Sequence, residues 1–197
     1  MLERPDKSNG YEQIAPLFIS GRGQNHVGVG ARVVAEWSQL LPVGAAVLDL
    51  GCGPGVPISE TLIKGGFDVY GVDASATMVA AFKGRFPTAL VQCSAVEDSD
   101  FFGRSFDGVV AWGLFFLLEA EVQCRLIAKV SAILASGGRM LFTAPSEPLS
   151  WLDAMTGKPS LSLGLAEYRK VLEASGMSLV GTQRDEGGNH YYSTQKR

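Results

Sequence analysis

Two carboxylates and a run of glycines mark the stretch of this sequence that is best suited to bind a small ligand. The apolar run AVLDL at 46–50 contains Asp49 and breaks into Gly51, Gly53 and Gly55, a pattern that favours a strand turning sharply into a helix. Asp73 ends the next apolar run, FDVYGVD, 18 residues after Gly55. An acid at the end of a strand in this position can accept hydrogen bonds from both hydroxyls of a ribose. The spacing therefore predicts a nucleoside site.

The chemistry of the glycine turn differs from that of a pyrophosphate site. A pyrophosphate needs free backbone N–H groups and no negative charge close by. Here Pro54 removes one N–H group, and Asp49 places a carboxylate beside the turn. These two residues argue against a nicotinamide-dependent oxidoreductase. They favour a ligand with an ammonium or sulfonium near Asp49 and a carboxylate near the helix start, and S-adenosylmethionine has this make-up.

The segments that must position these residues alternate between β-branched runs and runs with helical spacing. This alternation is typical of a parallel sheet covered by helices on both faces. Predicted strands are AAVLDL, FDVYGVD, ALVQC, FDGVVAW, RMLFTA, SLVGTQR and HYYSTQK. Predicted helices are residues 25–41, the segment PISETLIKGG, a segment that begins after Ser75, about Glu119 to Ser136, and about Leu165–Ala174. Ser75 would cap the third of these helices, in which Met78, Val79 and Phe82 would be buried. Gly137-Gly138 would end the fourth.

Residues 145–164 fit no regular element in the sequence. The segment contains three prolines together with several serines and glycines. A loop of this length in a compact domain is usually functional. We therefore interpret it as a substrate loop in which Trp151, Asp153 and Lys158 are candidates for a covering role.

Composition excludes several classes of protein. A chain of 197 residues with 46% hydrophobic residues predicts one globular domain over 1–197. The net charge of −3, without clustered Lys and Arg, argues against a nucleic-acid partner. The longest apolar stretch is far shorter than the roughly 20 residues that span a bilayer, so no membrane association is expected. Three widely spaced cysteines indicate reduced thiols, and the predicted location is the cytoplasm.

The sequence resembles the class I S-adenosylmethionine-dependent methyltransferases that act on small molecules. VLDLGCGPG followed by VYGVDAS is similar to the first two motifs of that family. QCSAVED, SFDGVVAWGLFFLL and LASGGRMLFTAP resemble the adenine turn and the fourth and fifth strands, in that order. The resemblance covers about residues 11–145. It implies a Rossmann-like α/β fold, in which a seven-stranded, mostly parallel sheet with an antiparallel last strand has helices on both faces.

The resemblance also implies a set of cofactor contacts. They are Tyr11, Arg22, Asp49, Gly51, Cys52, Gly53, Asp73, Ala74, Ser94, Ala95, Val96, Ala111 and Trp112. Gly51 and Gly53 would line the methionine part, Asp73 the ribose, and residues 94–96 the adenine. Residues 1–45 would cover the site, with Tyr11 and Arg22 in the segment YEQIAPLFISGR that closes over the cofactor. Many relatives have an aspartate in place of Ser94, so the sequence departs from the family there.

Methyl transfer is an in-line displacement, and it needs a general base only if the acceptor must lose a proton. His190, His26 and Tyr191 are the candidates for such a base. Ala111 stands where metal-dependent relatives carry an aspartate ligand, so no metal is expected. AWGLFF replaces the Asn/Asp-Pro-Pro-aromatic run of relatives that modify nucleic acids and proteins.

The resulting hypothesis is a methyltransferase that uses S-adenosylmethionine and acts on a small-molecule acceptor as a monomer or homodimer. The alternative is a non-catalytic regulatory protein that binds S-adenosylmethionine or another nucleoside. The acceptor, and whether O, N, S or C is methylated, stays open at this point.

Overall fold

The computed structural model describes residues 6–21 and 28–197 as an α/β structure. Its strands are β1 (Ala46–Leu50), β2 (Asp68–Asp73), β3 (Leu90–Cys93), β4 (Phe106–Ala111), β5 (Leu134–Thr143), β6 (Leu149–Leu152), β7 (Pro159–Ser162), β8 (Met177–Arg184) and β9 (His190–Lys196). Its helices are α1 (Tyr11–Ser20), α2 (Ala31–Ser38), α3 (Ile58–Lys64), α4 (Ala76–Arg85), α5 (Ala120–Ile133) and α6 (Leu165–Ala174).

Seven of the strands form one sheet in the order β3-β2-β1-β4-β5-β9-β8. The first five are parallel to one another, and β9 is antiparallel to both β5 and β8. β1 is central, and all five of its residues are buried, as expected for a parallel strand covered on both faces. The predicted seven-stranded sheet with an antiparallel last strand is confirmed.

The two faces of the sheet carry two apolar clusters. On one face, α5 and α6 pack around Phe115, Phe142, Tyr168 and Tyr192. On the other face, α2 and α3 pack on the sheet through residues that include Trp37. Helices on both faces leave the carboxyl ends of the parallel strands as the edge where a ligand can bind.

Two expectations about local structure are wrong. The helix predicted to reach Ser136 ends at Ile133, because Leu134 already pairs with Phe106 as the first residue of β5. Gly137 and Gly138 therefore lie within β5, next to an irregular register, and do not end the helix.

The segment 145–164 contains a regular element, contrary to the prediction. β6 and β7 pair as an antiparallel hairpin with Leu149 opposite Ser162 and Leu152 opposite Pro159. The hairpin gains its support from outside itself, because β7 packs on the short 3-10 turn Phe115–Leu117. No helix in the described part of the chain is long and apolar enough to cross a membrane.

Candidate active site

The carboxyl ends of three adjacent parallel strands form the wall of a cavity. β1 lies between β2 and β4, which brings Asp49 of β1, Asp73 at the end of β2 and Trp112 directly after β4 to the same edge. The cavity has a volume of about 670 Å³. This volume is typical of a small-molecule site, for which about 300–1,000 Å³ is usual.

The turn after β1 presents its main chain to the cavity. The N–H groups of Gly51 and Cys52 donate to the carbonyl of Val72 at 2.8 and 3.2 Å, which ties the turn to β2. Gly53 has a φ of +52°, and a Cβ at this position would project into open space. A ligand can therefore approach the backbone closely at Gly53.

Asp73 is fixed by the main chain through both of its carboxylate oxygens. Oδ2 accepts from the N–H of Gly53 and Oδ1 from the N–H of Ser75, each at 2.8 Å. Burial raises the pKa of Asp73, and the two N–H groups oppose this shift. Each oxygen keeps a lone pair for another donor, so the carboxylate can accept from two hydroxyls of one ligand.

Asp49 is 1% exposed and contributes to the cavity wall from within β1. The hydroxyl of Ser59 in α3 donates to Oδ2 of Asp49. Burial raises the pKa of Asp49 to about 7, and the negative charge of Asp73 acts in the same direction, while the bond from Ser59 opposes it. A positive charge beside two such acids would favour their ionised forms. The electrostatics of this end of the cavity thus suit a cationic ligand.

The loop after β3 forms another part of the wall through Ala95, Val96 and Glu97. The ammonium of Lys129 in α5 donates to the carbonyls of Val96 and Glu97 at 3.1 and 3.0 Å. It also donates to the carbonyl of Ser99. These three bonds hold the main chain of the loop against α5.

Helix α1 bounds the cavity and is attached to the start of α4. The carboxylate of Glu12 accepts from the hydroxyl of Ser75, and from the hydroxyl and N–H of Thr77 at 2.7 and 3.1 Å. Ser75 is the N-cap of α4, so the negative charge lies where the helix dipole favours it. The residues of α1 in the cavity wall are Tyr11, Leu17 and Phe18.

The turn of the β6–β7 hairpin also bounds the cavity, and it meets α1. Oδ1 of Asp153 accepts from the N–H groups of Met155 and Thr156 at 3.0 and 2.8 Å. The hydroxyl of Tyr11 lies 3.4 Å from Oδ2 of the same carboxylate. Gly10 precedes α1 with a φ of +83°, and a Cβ there would lie only 3.2 Å from Cβ of Thr156. The close approach of helix and hairpin therefore depends on glycine at this position.

Comparison with known proteins relates this arrangement to methyltransferases. Residues 47–138, from β1 into β5, match the family described as methyltransferase domain. The fold is shared with magnesium protoporphyrin IX methyltransferase from Synechocystis PCC 6803 solved with bound S-adenosylmethionine, at 17% identity over 100% of both chains and a TM-score of 0.70. Residues 47–138 therefore match a methyltransferase domain, and the chain has the fold of the class I enzymes. The match and the shared fold agree with the predicted resemblance to S-adenosylmethionine-dependent methyltransferases, and the S-adenosylmethionine bound in that neighbour is consistent with the predicted cofactor.

Two further structures share the fold of this chain. One is 1,6-didemethyltoxoflavin-N1-methyltransferase from Burkholderia thailandensis, 20% identical, covering 94% of this chain and 89% of that chain with a TM-score of 0.69. The other is the 4+2 cyclase SpnF, 16% identical, covering 98% and 97% of the two chains with a TM-score of 0.76. No curated protein matches the sequence. Because one of these structures is a cyclase, the shared fold alone does not determine the acceptor or the reaction.

Most residues predicted to contact the cofactor lie in the cavity wall. They are Tyr11, Asp49, Gly51, Cys52, Gly53, Asp73, Ala74, Ala95, Val96 and Trp112. Ser94 is not in the wall, and its hydroxyl donates to the carbonyl of Ala95 at 3.1 Å. Ala111 is fully buried in β4 and is likewise outside the wall. Arg22 and His26 lie outside the described residues.

The other candidates for a general base lie on β9, away from the cavity wall. The hydroxyl of Tyr191 accepts from Nε1 of Trp112 and donates to Oδ2 of Asp185, each at 2.7 Å. Burial and the nearby carboxylate raise the pKa of Tyr191 far above its usual value, so this hydroxyl keeps its proton and orients Trp112. Burial lowers the pKa of His190, whose ring nitrogens have no hydrogen-bond partner among the described residues.

Sequence reasoning missed several residues of the wall. They include Lys7, Glu97, Leu114, Phe116, Leu117, Met155 and Asn189. Phe115 is fully buried against Phe142, whereas its neighbour Phe116 faces the cavity and Trp151. The 3-10 turn at these residues sets the two side-chain directions, and the sequence pattern does not reveal that turn. Asn189 carried no signal in the sequence. Within the described ranges, no group of three or more His, Cys, Asp or Glu side chains could hold a metal ion.

Proposed function

We propose that the protein transfers the methyl group of S-adenosylmethionine to a small acceptor with an apolar body. The observation that carries the proposal is the division of one cavity into two chemical parts. Asp49, Gly53 and Asp73 form a polar part at the strand ends, and Leu114 and Phe116 belong to an apolar part. Both parts belong to one cavity, so a cofactor and an acceptor would share one enclosed space.

The polar part offers groups suited to each portion of S-adenosylmethionine. The carboxylate of Asp73, held by Gly53 and Ser75, would accept from the two ribose hydroxyls. The backbone at Gly53, which a ligand can approach closely, would lie along the methionine part of the cofactor. Asp49 would face the positive charge of that part. The loop at 95–97, held by Lys129, would contact the adenine.

The bound cofactor supplies an electrophilic methyl group, and the contribution of the protein is alignment and exclusion of water. α1 and the β6–β7 hairpin bound the cavity from two segments that are far apart in the sequence. An acceptor enclosed between them would be held against the cofactor with few alternative orientations. Two of the structures that share the fold are named for small-molecule acceptors, a magnesium porphyrin and a didemethyltoxoflavin, and this supports a small acceptor here.

Asp73→Asn tests the cofactor part of the proposal. The change removes a charged acceptor of hydrogen bonds, each worth about 1.5–3 kcal/mol, so the affinity for S-adenosylhomocysteine should fall about 100-fold. Isothermal titration calorimetry measures this loss. Glu121→Gln, which alters an exposed acid on α5, is the matched control and should leave the affinity unchanged.

Transfer itself is tested by release of S-adenosylhomocysteine in a screen of small acceptors, with enzyme lacking acceptor as the blank. At least one acceptor with an apolar body should raise the rate above the blank. Tight binding of S-adenosylhomocysteine without turnover on any acceptor would favour the non-catalytic regulatory alternative. Unchanged affinity in Asp73→Asn would instead remove Asp73 from the cofactor site.

A further inference from the structure

Carboxylates outnumber cations in the described part of the cavity wall. The charged side chains there are Lys7, Asp49, Asp73, Glu97 and Asp153. Lys7 is already engaged, since its ammonium lies 3.3 Å from Glu97 and 2.7 Å from Asp98. Asp49 and Asp73 belong to the proposed cofactor site. Asp153 is the one acid among these described residues that has neither a cation partner nor a place in the proposed cofactor site.

Asp153 has one satisfied oxygen and one oxygen with spare capacity. Oδ1 accepts three hydrogen bonds, from the N–H of Met155 and from the N–H and hydroxyl of Thr156. Oδ2 has a single contact among the described residues, the Tyr11 hydroxyl at 3.4 Å. Charge-assisted bonds of this type are normally about 2.5–2.7 Å long. The residue is 9% exposed, and a buried carboxylate oxygen without a close donor is costly.

Apolar and aromatic side chains line the same cavity as Asp153. Met155, two residues further along the turn, lies in the same wall, as do Phe116 and Leu117. The ring of Trp151 lies 5.6 Å from that of Phe116 between ring centroids. A carboxylate at the edge of such a surface is suited to a ligand with one positive group on an apolar body.

We propose that Oδ2 of Asp153 binds a basic nitrogen of the acceptor, and that the acceptor is therefore an amine with an aromatic or aliphatic body. This inference rests on the proposed function and names the substrate class of the same cavity. An ammonium would supply the short donor that Oδ2 lacks among the described residues and would offset the surplus of negative charge in the described part of the wall. An alcohol would supply the donor without the charge, and a carboxylate would be repelled by Asp153.

The test uses the full-length protein loaded with S-adenosylhomocysteine and matched sets of phenethylamine, phenethyl alcohol and phenylacetic acid, with a longer alkylamine and its alcohol. At neutral pH the amine of each set should bind at least about tenfold more tightly than its alcohol, and the acid should bind most weakly, by calorimetry. Asp153→Asn keeps an oxygen for the turn and removes the charge, so it should abolish the preference for amines. Asp153→Glu should restore part of it.

Two controls distinguish a failure of this inference from a failure of the proposed function. Asp153→Asn should bind S-adenosylhomocysteine as the unchanged protein does, because Asp153 lies outside the cofactor part of the cavity. Thr156→Val loosens the same hairpin turn while leaving the carboxylate in place, and it should retain the preference for amines. Equal binding of amines and alcohols, binding of neither, or a preference that survives in Asp153→Asn would overturn the inference. Loss of S-adenosylhomocysteine binding in the unchanged protein would instead overturn the proposed function.

Discussion

At the scale of single residues, the most informative group is a carboxylic acid whose pKa lies near neutral pH. Asp49 is buried in the central strand, close enough to Asp73 for their negative charges to interact. Among the described side chains, only the hydroxyl of Ser59 donates a hydrogen bond to it. Its pKa of about 7 means that the folded protein holds a proton that the unfolded chain releases. Burying Asp49 therefore costs stability near neutral pH.

Asp49→Asn should remove a pH dependence of stability. In the unfolded chain Asp49 ionises at about pH 4, and in the folded protein its pKa is about 7. Between these values the free energy of unfolding falls as pH rises, by up to about 1.4 kcal/mol per unit, and above the folded pKa the fall stops. The variant lacks this contribution, so its stability relative to the unchanged protein should rise across the same window. Urea unfolding of both proteins at a series of pH values measures the difference.

Ser59→Ala serves as the partner experiment, because it removes the hydroxyl that stabilises the ionised form of Asp49. The pKa of Asp49 in the folded protein should then move higher, and the pH range over which the free energy of unfolding falls should extend to higher pH. Parallel pH profiles for Asp49→Asn and the unchanged protein would show that the buried acid is not protonated as described.

Residues whose roles depend on local sequence could be predicted, and residues whose roles depend on folding could not. Asp73 ends β2 and Gly53 lies three residues after β1, so spacing alone was enough to bring them together at the edge of a parallel sheet. The spare hydrogen-bonding capacity of Asp153 depends on a hairpin turn and on a helix residue that lies 142 positions earlier in the chain. No pattern in the sequence connects two such distant segments.

At the scale of elements, α1 acts as a cover that is fastened at its first turn. Glu12 accepts three hydrogen bonds from Ser75 and Thr77 at the start of α4. The bond from Ser75 lowers the pKa of Glu12, which keeps the carboxylate charged. The main-chain N–H of Ser75 is bonded to Asp73, so one residue links the cover to the proposed ribose acid.

Glu12→Gln should loosen the cover without disturbing the sheet. A charge-assisted network is replaced by neutral contacts, and the affinity for S-adenosylhomocysteine should fall about tenfold, which corresponds to about 1.4 kcal/mol. Amide hydrogen exchange within residues 11–20 should become faster. Gln13→Ala changes an exposed neighbour on the same helix and should alter neither measurement. Affinity and exchange that stay the same in Glu12→Gln would show that Glu12 does not fasten α1.

Element positions were predictable where one segment carries its own signal. The strand and helix sequence from β1 through β4 follows from buried runs and glycine or serine boundaries, and it agrees with the structure within a few residues. The β6–β7 hairpin has no such signal, because its prolines and serines suit a loop and its support comes from the Phe115–Leu117 turn. The early end of α5 likewise depends on Phe106, which draws Leu134 into the sheet.

At the scale of the whole molecule, one aromatic cluster joins the parallel part of the sheet to its antiparallel edge. Phe142 of β5 stacks on Tyr192 of β9 with ring centroids 4.7 Å apart and planes within 6°. Its ring also lies 4.4 Å from Phe115 and 5.3 Å from Tyr168, again between centroids. The cluster therefore connects β5, β9, α6 and the turn that supports the hairpin.

Phe142→Ala should destabilise the whole fold, since it opens a cavity among three aromatic rings. The expected loss is about 3–5 kcal/mol in the free energy of unfolding. Chemical denaturation followed by circular dichroism measures it, and Phe142→Leu should cost less. Val180→Ala on β8, where the side chain is 51% exposed, should change stability by no more than about 0.5 kcal/mol. A loss for Phe142→Ala as small as that for Val180→Ala would contradict a central role for the cluster.

The bond between Trp112 and Tyr191 has an optical consequence. The indole contributes to the cavity wall while its Nε1 donates to a buried phenol that is itself bonded to Asp185. Its environment is thus rigid on one edge and open to an incoming molecule elsewhere, which makes Trp112 a built-in fluorophore for the state of the cavity. With Trp37 and Trp151 replaced by phenylalanine, the remaining emission would come from this one ring, and its wavelength and quenching would follow ligand entry in real time without any added label.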